Sequence, residues 1–504
     1  MDVAIIGGGI AGLSTALRLQ ARGLATALFE AHGQVGGCAG FFRRRGFSFD
    51  VGATTLVDFG PGGVGSELLA SAGLGPVDGE DLPGYVAWLP DRRVTLYRDR
   101  KAWHEERQRS LGGGARQRAF WSLLDRLADA FWPASRAGVA LPLRSPAALA
   151  LAAAAVPARA WPLARYLSWT LGDALAAHGL AGDRPLVRLL AMLVEDTVHG
   201  TVDRAPLINA ALGVTIRGAG LTRARGGMRG FLRPLVDRYR ALGGALHVGC
   251  RVERVEGRAG AFHVVTRRGT FAAARVACAL PAALAATIGP APVAAALAPH
   301  LARNRDAEGG AVVVFLGVPE GEVAGHAFTH HQLSHDYDAP LGDGNNMFVS
   351  VSAPGDQASA PAGHRAVMIS THCELAPWQA LEGGAYARAR DEAGARLVAL
   401  ARRAYPRLGE APAVHEVATP RTYTRYCGRP RGAVGGYRLS LANANQRAIP
   451  HDVGVPGFWL VGDTTWPGLG TVACVLGSRI VADQISRSLG GPKAPAAAPS
   501  QGAW

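Results

Sequence analysis

The chain has 504 residues, 48% of them hydrophobic and 18% charged. That balance excludes a disordered chain, which pairs low hydrophobicity with dense charge, and the length allows two or three domains around a large core. The net charge is +14, carried almost wholly by arginine because lysine occurs only at Lys101 and Lys493. Arg43, Arg44 and Arg45 form the densest cluster, with no longer basic run carrying interleaved aromatics, so no nucleic acid partner is expected. The arginine surplus reads either as compositional bias or as a match to an anionic membrane surface.

Six cysteines (Cys38, Cys250, Cys278, Cys373, Cys427 and Cys474) are scattered without a C-x-x-C pair, which predicts reduced thiols in a cytoplasmic compartment and no metal site. No apolar run reaches the ~18 residues of a spanning helix. The N-terminus is apolar, but Asp2 stands where a signal peptide would carry a basic residue, so a first strand is expected there.

Residues 2–6 (DVAII) read as a buried parallel strand, and GGGIAG at 7–12 as a turn. A helix follows with Leu13, Ala16, Leu17 and Leu19 on its apolar side, ended by Gly23. TALFE at 26–30 is the second strand, HGQVGGCAGFF at 32–42 a second glycine turn, and GFSFDVGAT at 46–54 a further strand. From about 100 to 220 the chain turns Ala/Leu/Arg/Trp-rich, with breaks at Pro142, Pro146, Pro157 and Pro162, as an inserted helical segment would. Residues 226–257 read as turn, amphipathic helix, glycine turn and strand. FHVVT, RVACALP, 311–316 and 347–352 supply strands, and 383–406 a helix. FWLVGDTT at 458–465 is a strand entering a loop, with a helix from about 471 to 489 behind it.

Gly7-x-Gly9-x-x-Gly12 falls between the first strand and first helix, and Glu30 ends the second strand 18 residues later. Gly7 permits the tight turn, Gly9 the approach of backbone to a diphosphate, and Gly12 the packing of helix on strand. The helix N-terminus offers free N–H groups and partial positive charge to that diphosphate. Glu30 stands where a carboxylate accepts from an adenosine ribose.

The glycine pair Gly36-Gly37 and the stretch GFSFDVG that follows resemble the FAD-binding amine oxidase and phytoene desaturase superfamily. Many members carry Arg after the pair; here Cys38 stands there, read as an ordinary small buried residue. Gly462-Asp463 resembles the superfamily's C-terminal signature, which implies an Asp463 contact to the flavin's ribityl–phosphate region and backbone N–H groups from a helix beginning near Thr471. Arg251-Val252-Glu253 matches the position where a valine backbone meets the adenine. The stretches at 96–109, 418–436 and 461–483 narrow the resemblance to carotenoid desaturases, closest to carotenoid 3′,4′-desaturases, and cis–trans isomerases.

The resemblance implies an α/β fold: a Rossmann-type, glutathione reductase-like FAD-binding domain with a discontinuous substrate domain of mixed sheet and helices. The expected boundaries are 1–95, 222–285 and 450–490 for the FAD-binding domain, 96–221 for a helical segment facing substrate and membrane, and 286–449 for the substrate domain. A flexible tail is expected at 491–504. The implied activity is desaturation of a carotenoid, with quinone or dioxygen as electron acceptor; isomerase and saturase are the variants.

A polyene substrate calls for an apolar tunnel reaching the flavin. Ala147–Val156 is continuously apolar and flanked by Arg144, Arg159 and Arg165, which suits a tunnel wall or peripheral contact between a cytoplasmic protein and the membrane. No catalytic side chain is assigned, because the cofactor carries the hard step. His199, His330, His331 and His335 are read as polar-loop residues rather than metal ligands, and Glu195-Asp196 as a structural pair that caps a helix or pairs with Arg188, the alternative being that it lines the tunnel. An amine oxidase would need an aromatic cage, for which Trp466, Tyr437 and Trp459 are the candidates. A non-catalytic escort protein is disfavoured by the intact glycine fingerprint.

Overall fold

The computed structural model describes residues 1–490; the tail expected at 491–504 lies outside the described residues. Five parallel strands form one sheet in the order Ala245–His247, Thr26–Phe29, Val3–Ile6, Arg275–Cys278 and Phe458–Leu460. Val3 lies beside Thr26 and Arg275, and Ile6 beside Phe29 and Cys278. These three central strands read as short apolar runs because both faces are covered. The helix Ile10–Ala21 packs on one face against Thr471–Ser488, burying Leu13, Leu17, Val475 and Val481 completely. Each such side chain contributes about 1.5–3 kcal/mol.

Arg18 is buried at this junction. It donates to both Glu67 carboxylate oxygens at 2.6 Å and to Ser478 Oγ at 3.2 Å, tying the helix Val64–Ser71 to the other two.

The second sheet has seven strands in the order Val414–Ala418, Gly310–Pro319, His364–Cys373, Asn346–Val351, His330–Ser334, Gly84–Trp88 and Arg93–Tyr97. Leu397, Val398 and Ala401 of the helix Gly383–Ala401 join its core beside Val314 and Leu316. The helices Ala115–Arg136, Arg184–Val198 and Leu207–Thr215 form a layer of their own around Phe120, Leu124, Leu190 and Leu193.

Two expected domain boundaries move. The hairpin Gly84–Tyr97 pairs into the seven-stranded sheet, His331 lying beside Val86, so the cofactor domain's first segment stops short of residue 95. The helix Ala291–Arg303 buries Val293 and Leu297 in the cluster that holds Val276 and Phe458, so it packs with the parallel sheet as well as with Tyr437 and Ile449 of the expected substrate segment.

The histidines at 330 and 331 also depart from expectation. They lie on a fully buried strand rather than a polar loop. The strand tolerates them because each ring is partnered. His331 Nδ1 accepts from Trp88 Nε1 at 3.1 Å, and its Nε2 meets the Tyr405 hydroxyl at 2.8 Å. His330 stacks on Tyr85 and bonds Thr329 Oγ1 at 2.9 Å. His335 follows at the strand's end. Among the described residues, no group of three or more His, Cys, Asp or Glu is arranged to hold a metal ion.

The helix Pro146–Ala155 buries no side chain, and Leu149, Leu151, Trp161 and Leu167 are exposed on it and on the turn Ala158–Ser168. It is therefore neither a tunnel wall nor a core helix. The two stretches meet at 114°, and no single helix among the described residues is long and apolar enough to cross a membrane.

Candidate active site

A continuous cavity of about 1030 Å³ runs from the glycine turn at the C-terminal end of the central strand Val3–Ile6 to the face of the seven-stranded sheet. Gly7 (φ 101°) and Gly36 (φ 128°) both hold backbone that favours glycine, and Gly36 N–H donates to the Gly8 carbonyl at 2.8 Å, clasping the two glycine turns together. Gly9, Gly36, Gly37 and Glu30 line the cavity. Gly12 does not: an added Cβ there would lie 1.9 Å from the Gly7 carbonyl oxygen, so its role is to let helix meet strand. At Gly9 an added Cβ would meet nothing within 4 Å, because it would project into the cavity. Glu30 is fixed by the backbone N–H groups of Gly8 and His32, each 2.7 Å from one of its oxygens.

The helices starting at Ile10 and Thr471 are preceded by Gly9 and Gly470, neither of which caps them with a side chain. Their first N–H groups are thus available to an anion or to ring acceptors. Val252, Gly462, Asp463 and Thr471 line the same cavity, so it unites all the residues assigned from sequence except Gly12. A diphosphate at Gly9 and Gly37, a ribose at Glu30, and a ring against Thr471 fit this cradle. Arg429, which sequence reasoning did not single out, pairs with Asp463 in the cavity wall. Its signal lay in the family-like stretch 418–436, but no spacing rule selects it.

Cys38 is half-buried and lines the cavity rather than sitting in the core. A hydrogen bond from the Cys427 thiol, with Arg429 nearby, lowers the Cys38 thiol to about 7 despite burial.

The far wall is unexpectedly polar. Tyr85, Asp196, Arg217, Gln332, Asn346 and His372 all face the cavity, beside the apolar Leu193, Phe348 and Met368. Glu195 and Asp196 do not pair with Arg188, which instead donates to the carbonyls of Tyr337 and Ala339. Glu195 accepts from Asn346 Nδ2 and lies 3.7 Å from His372 Nδ1. Asp196 accepts from Gln332 Nε2 at 2.6 Å. His199, buried and in left-handed backbone after the helix, meets His372 ring to ring at 2.9 Å between their Nε2 atoms. Burial is the largest influence on His372 and lowers it, but Glu195, through hydrogen bonding and charge, and Asp196, through charge, together outweigh it and raise the imidazole.

Trp466, Tyr437 and Trp459 are each buried in core clusters and do not line the cavity, so they form no aromatic cage.

Comparison with known proteins agrees with this arrangement. Residues 10–486 match the sequence family described as flavin containing amine oxidoreductase. Over 97% of its length the chain is 23% identical to prolycopene isomerase 1, chloroplastic, of an Oncidium hybrid cultivar, covering 84% of that protein. It is 40% identical over 86 residues to the phytoene desaturase (lycopene-forming) of Pantoea ananas, 17% of this chain and 16% of that one. Among solved structures, putrescine oxidase bound to putrescine superposes with a TM-score of 0.63 at 16% identity, over 97% of this chain and 99% of that chain. Cyclohexylamine oxidase from Brevibacterium oxydans gives 0.60 at 16% identity, with the same coverage. At such identity these two likenesses concern the fold.

Proposed function

Because this chain belongs to the flavin containing amine oxidoreductases, with FAD as cofactor, we propose that it is a carotenoid desaturase, introducing a C=C bond at C-3′,4′ of an acyclic or monocyclic carotenoid. The bound flavin supplies the two-electron oxidation. Glu30 would hold the adenosine ribose, the N–H groups around Gly9 and Gly37 the diphosphate, Asp463 the ribityl region, and the N-terminus at Thr471 the ring. The observation that carries the reading is the continuity of one cavity from this cradle to a second wall formed by the helical layer and the seven-stranded sheet. That wall orients a long substrate and excludes water.

A second reading, cis–trans isomerisation with reduced flavin, is favoured by the likeness to prolycopene isomerase over nearly the whole chain, where the desaturase likeness spans 17% of it. Saturation is the reverse variant of the leading reading.

We further propose peripheral attachment to the cytoplasmic side of a membrane, with a quinone or dioxygen as electron acceptor. The apolar helix Pro146–Ala155, with exposed Arg144, Arg159 and Arg165 around it, supports this, since arginines suit anionic headgroups beside inserted apolar side chains. The deciding experiment supplies lycopene-type and 1′-hydroxylated carotenoids to the holoprotein and separates the products. Loss of two hydrogens with a red-shifted spectrum is expected. Loss of a cis band at unchanged mass would select the isomerase, and no change in any pigment would refute both.

A further inference from the structure

The polyene body of a carotenoid, hydroxylated at its end or not, gives the polar far wall nothing to bond, and polar groups facing hydrocarbon cost free energy. The wall therefore calls for its own account. Asp196 lies in the last turn of the helix Arg184–Val198, where a carboxylate opposes the helix dipole. The helix does not need it there. Its neighbour Glu195 is committed to Asn346 and His372. Asp196 itself is held through Oδ2 only, by Gln332 Nε2, which also donates to the Met192 carbonyl at 3.0 Å and is fixed by that second bond. Among the described residues Oδ1 takes no hydrogen bond, and the residue lines the cavity.

The wall also lies close to the cofactor end. Gly435 packs on His199, where an added Cβ would come within 2.4 Å of Cε1. The next residue, Gly436, packs on the Asp463 backbone, at 2.2 Å from its carbonyl oxygen by the same measure.

Resting on the desaturase reading, we propose that Asp196 is the catalytic base: its Oδ1 takes the proton from the substrate carbon adjacent to the one that loses hydride. The balance is simple. One C–H bond gives up its hydrogen with both electrons to the oxidised flavin. The neighbouring C–H gives its proton to Asp196, and the electron pair left behind becomes the new π bond. Gln332 is a positioning residue, keeping Oδ2 engaged so that Oδ1 points into the cavity.

The charge balance of the site agrees. The titratable groups that face Asp196 are Glu195 on its own helix, His372 on the strand His364–Cys373, Arg217 in the turn Ile216–Ala219, and Tyr85 on the strand Gly84–Trp88. Burial pushes the Asp196 carboxyl up to about 7, His372 and Arg217 opposing the rise and Glu195 adding to it. A base in that range can take and release a proton near neutrality.

The test uses holoprotein, with Asp196→Asn and Asp196→Glu beside the wild type. D196N is expected to lose about 100-fold in kcat with its flavin spectrum and FAD affinity unchanged, and D196E to recover part of the loss. In the wild type kcat/KM should rise with pH through about 7, a limb absent from D196N. Infrared titration should show a carboxylic acid band that vanishes as pH rises through that range and is missing in D196N. An active wild type with an equally active D196N, or with the same pH limb in both, overturns the base assignment alone. The absence of the infrared band overturns it without any substrate. A titrating band in a wild type that converts no carotenoid overturns the functional reading, and the proton transfer with it.

Discussion

Gly9 and Gly12 lie three residues apart and should fail in opposite ways when changed to alanine. At Gly12 the new methyl would sit 1.9 Å from the Gly7 carbonyl oxygen, in backbone that cannot swing aside as a side chain would. Helix and strand must separate, and overpacking of this kind costs about 1–3 kcal/mol. At Gly9 the methyl meets nothing within 4 Å and the backbone is ordinary (φ −66°, ψ 175°). The cost to the cofactor-free fold is then only that of a poorer N-cap, under about 1 kcal/mol. The methyl does occupy the cradle. Losing one or two charge-assisted N–H bonds to the diphosphate, at about 1.5–3 kcal/mol each, should weaken FAD at least ~10-fold and up to ~10⁴-fold. Thermal unfolding of the apoproteins and FAD titration by flavin fluorescence separate the two. With FAD at 100 times its wild-type Kd, the wild type gains about 2.7 kcal/mol and Gly9→Ala should lose about half of that gain or more. An apo Gly9→Ala as unstable as apo Gly12→Ala, or one that binds FAD like the wild type, would refute the division of roles.

Four further outcomes are expected. Arg18→Met should destabilise by about 3 kcal/mol, because Glu67 loses its bidentate partner while Arg18 is wholly buried; Arg18→Met with Glu67→Gln should recover part of it in urea unfolding. Burial lowers His331 to about 3 and His451 to about 4, so both stay neutral in the fold while the unfolded chain takes up protons below about pH 6.5. Stability should therefore be lost as pH falls from there, by about 1.4 kcal/mol per unit and residue until the folded rings also titrate, and His331→Gln should flatten that slope in acid unfolding curves. Cys38 should be alkylated by iodoacetamide at pH 8 faster than the other thiols, slowing as pH drops below about 7, with FAD protecting it in mass-spectrometric mapping. Replacing Leu149, Leu151 and Trp161 together by Glu should abolish sedimentation with anionic vesicles while leaving the melting temperature unchanged, since all three are exposed.

The cofactor half of the site was legible because its demands are local. A tight turn, a close helix–strand contact and an acid at a strand end each leave a mark within thirty residues, at Gly7, Gly12 and Glu30. The polar wall was not legible. Asp196, Arg217, Gln332 and His372 come from four separate elements, and no spacing along the chain announces that they share a cavity. The buried histidines misled for a related reason: a polar-looking HHQLS becomes a core strand only because Trp88 and Tyr405, both distant in sequence, supply partners to His331. Likewise the hairpin Gly84–Tyr97 carries strand-forming Tyr85, Val86, Trp88, Val94 and Thr95, but which sheet it extends is decided by its non-local pairing with His330–Ser334. Cys38 looked inert because its neighbours Cys427 and Arg429 lie nearly four hundred residues away.

The order of strands in the parallel sheet has a consequence for biosynthesis. Its members come from residues 3–6, 26–29, 245–247, 275–278 and 458–460, and the last of these closes the edge beside Arg275–Cys278. The glycine turn leaves the ribosome about 450 residues before Gly462, Asp463 and the helix at Thr471. A nascent chain thus carries half a cradle until that later segment is made. FAD capture should consequently wait for it, and truncation just before residue 458 should remove flavin retention even with the glycine fingerprint intact.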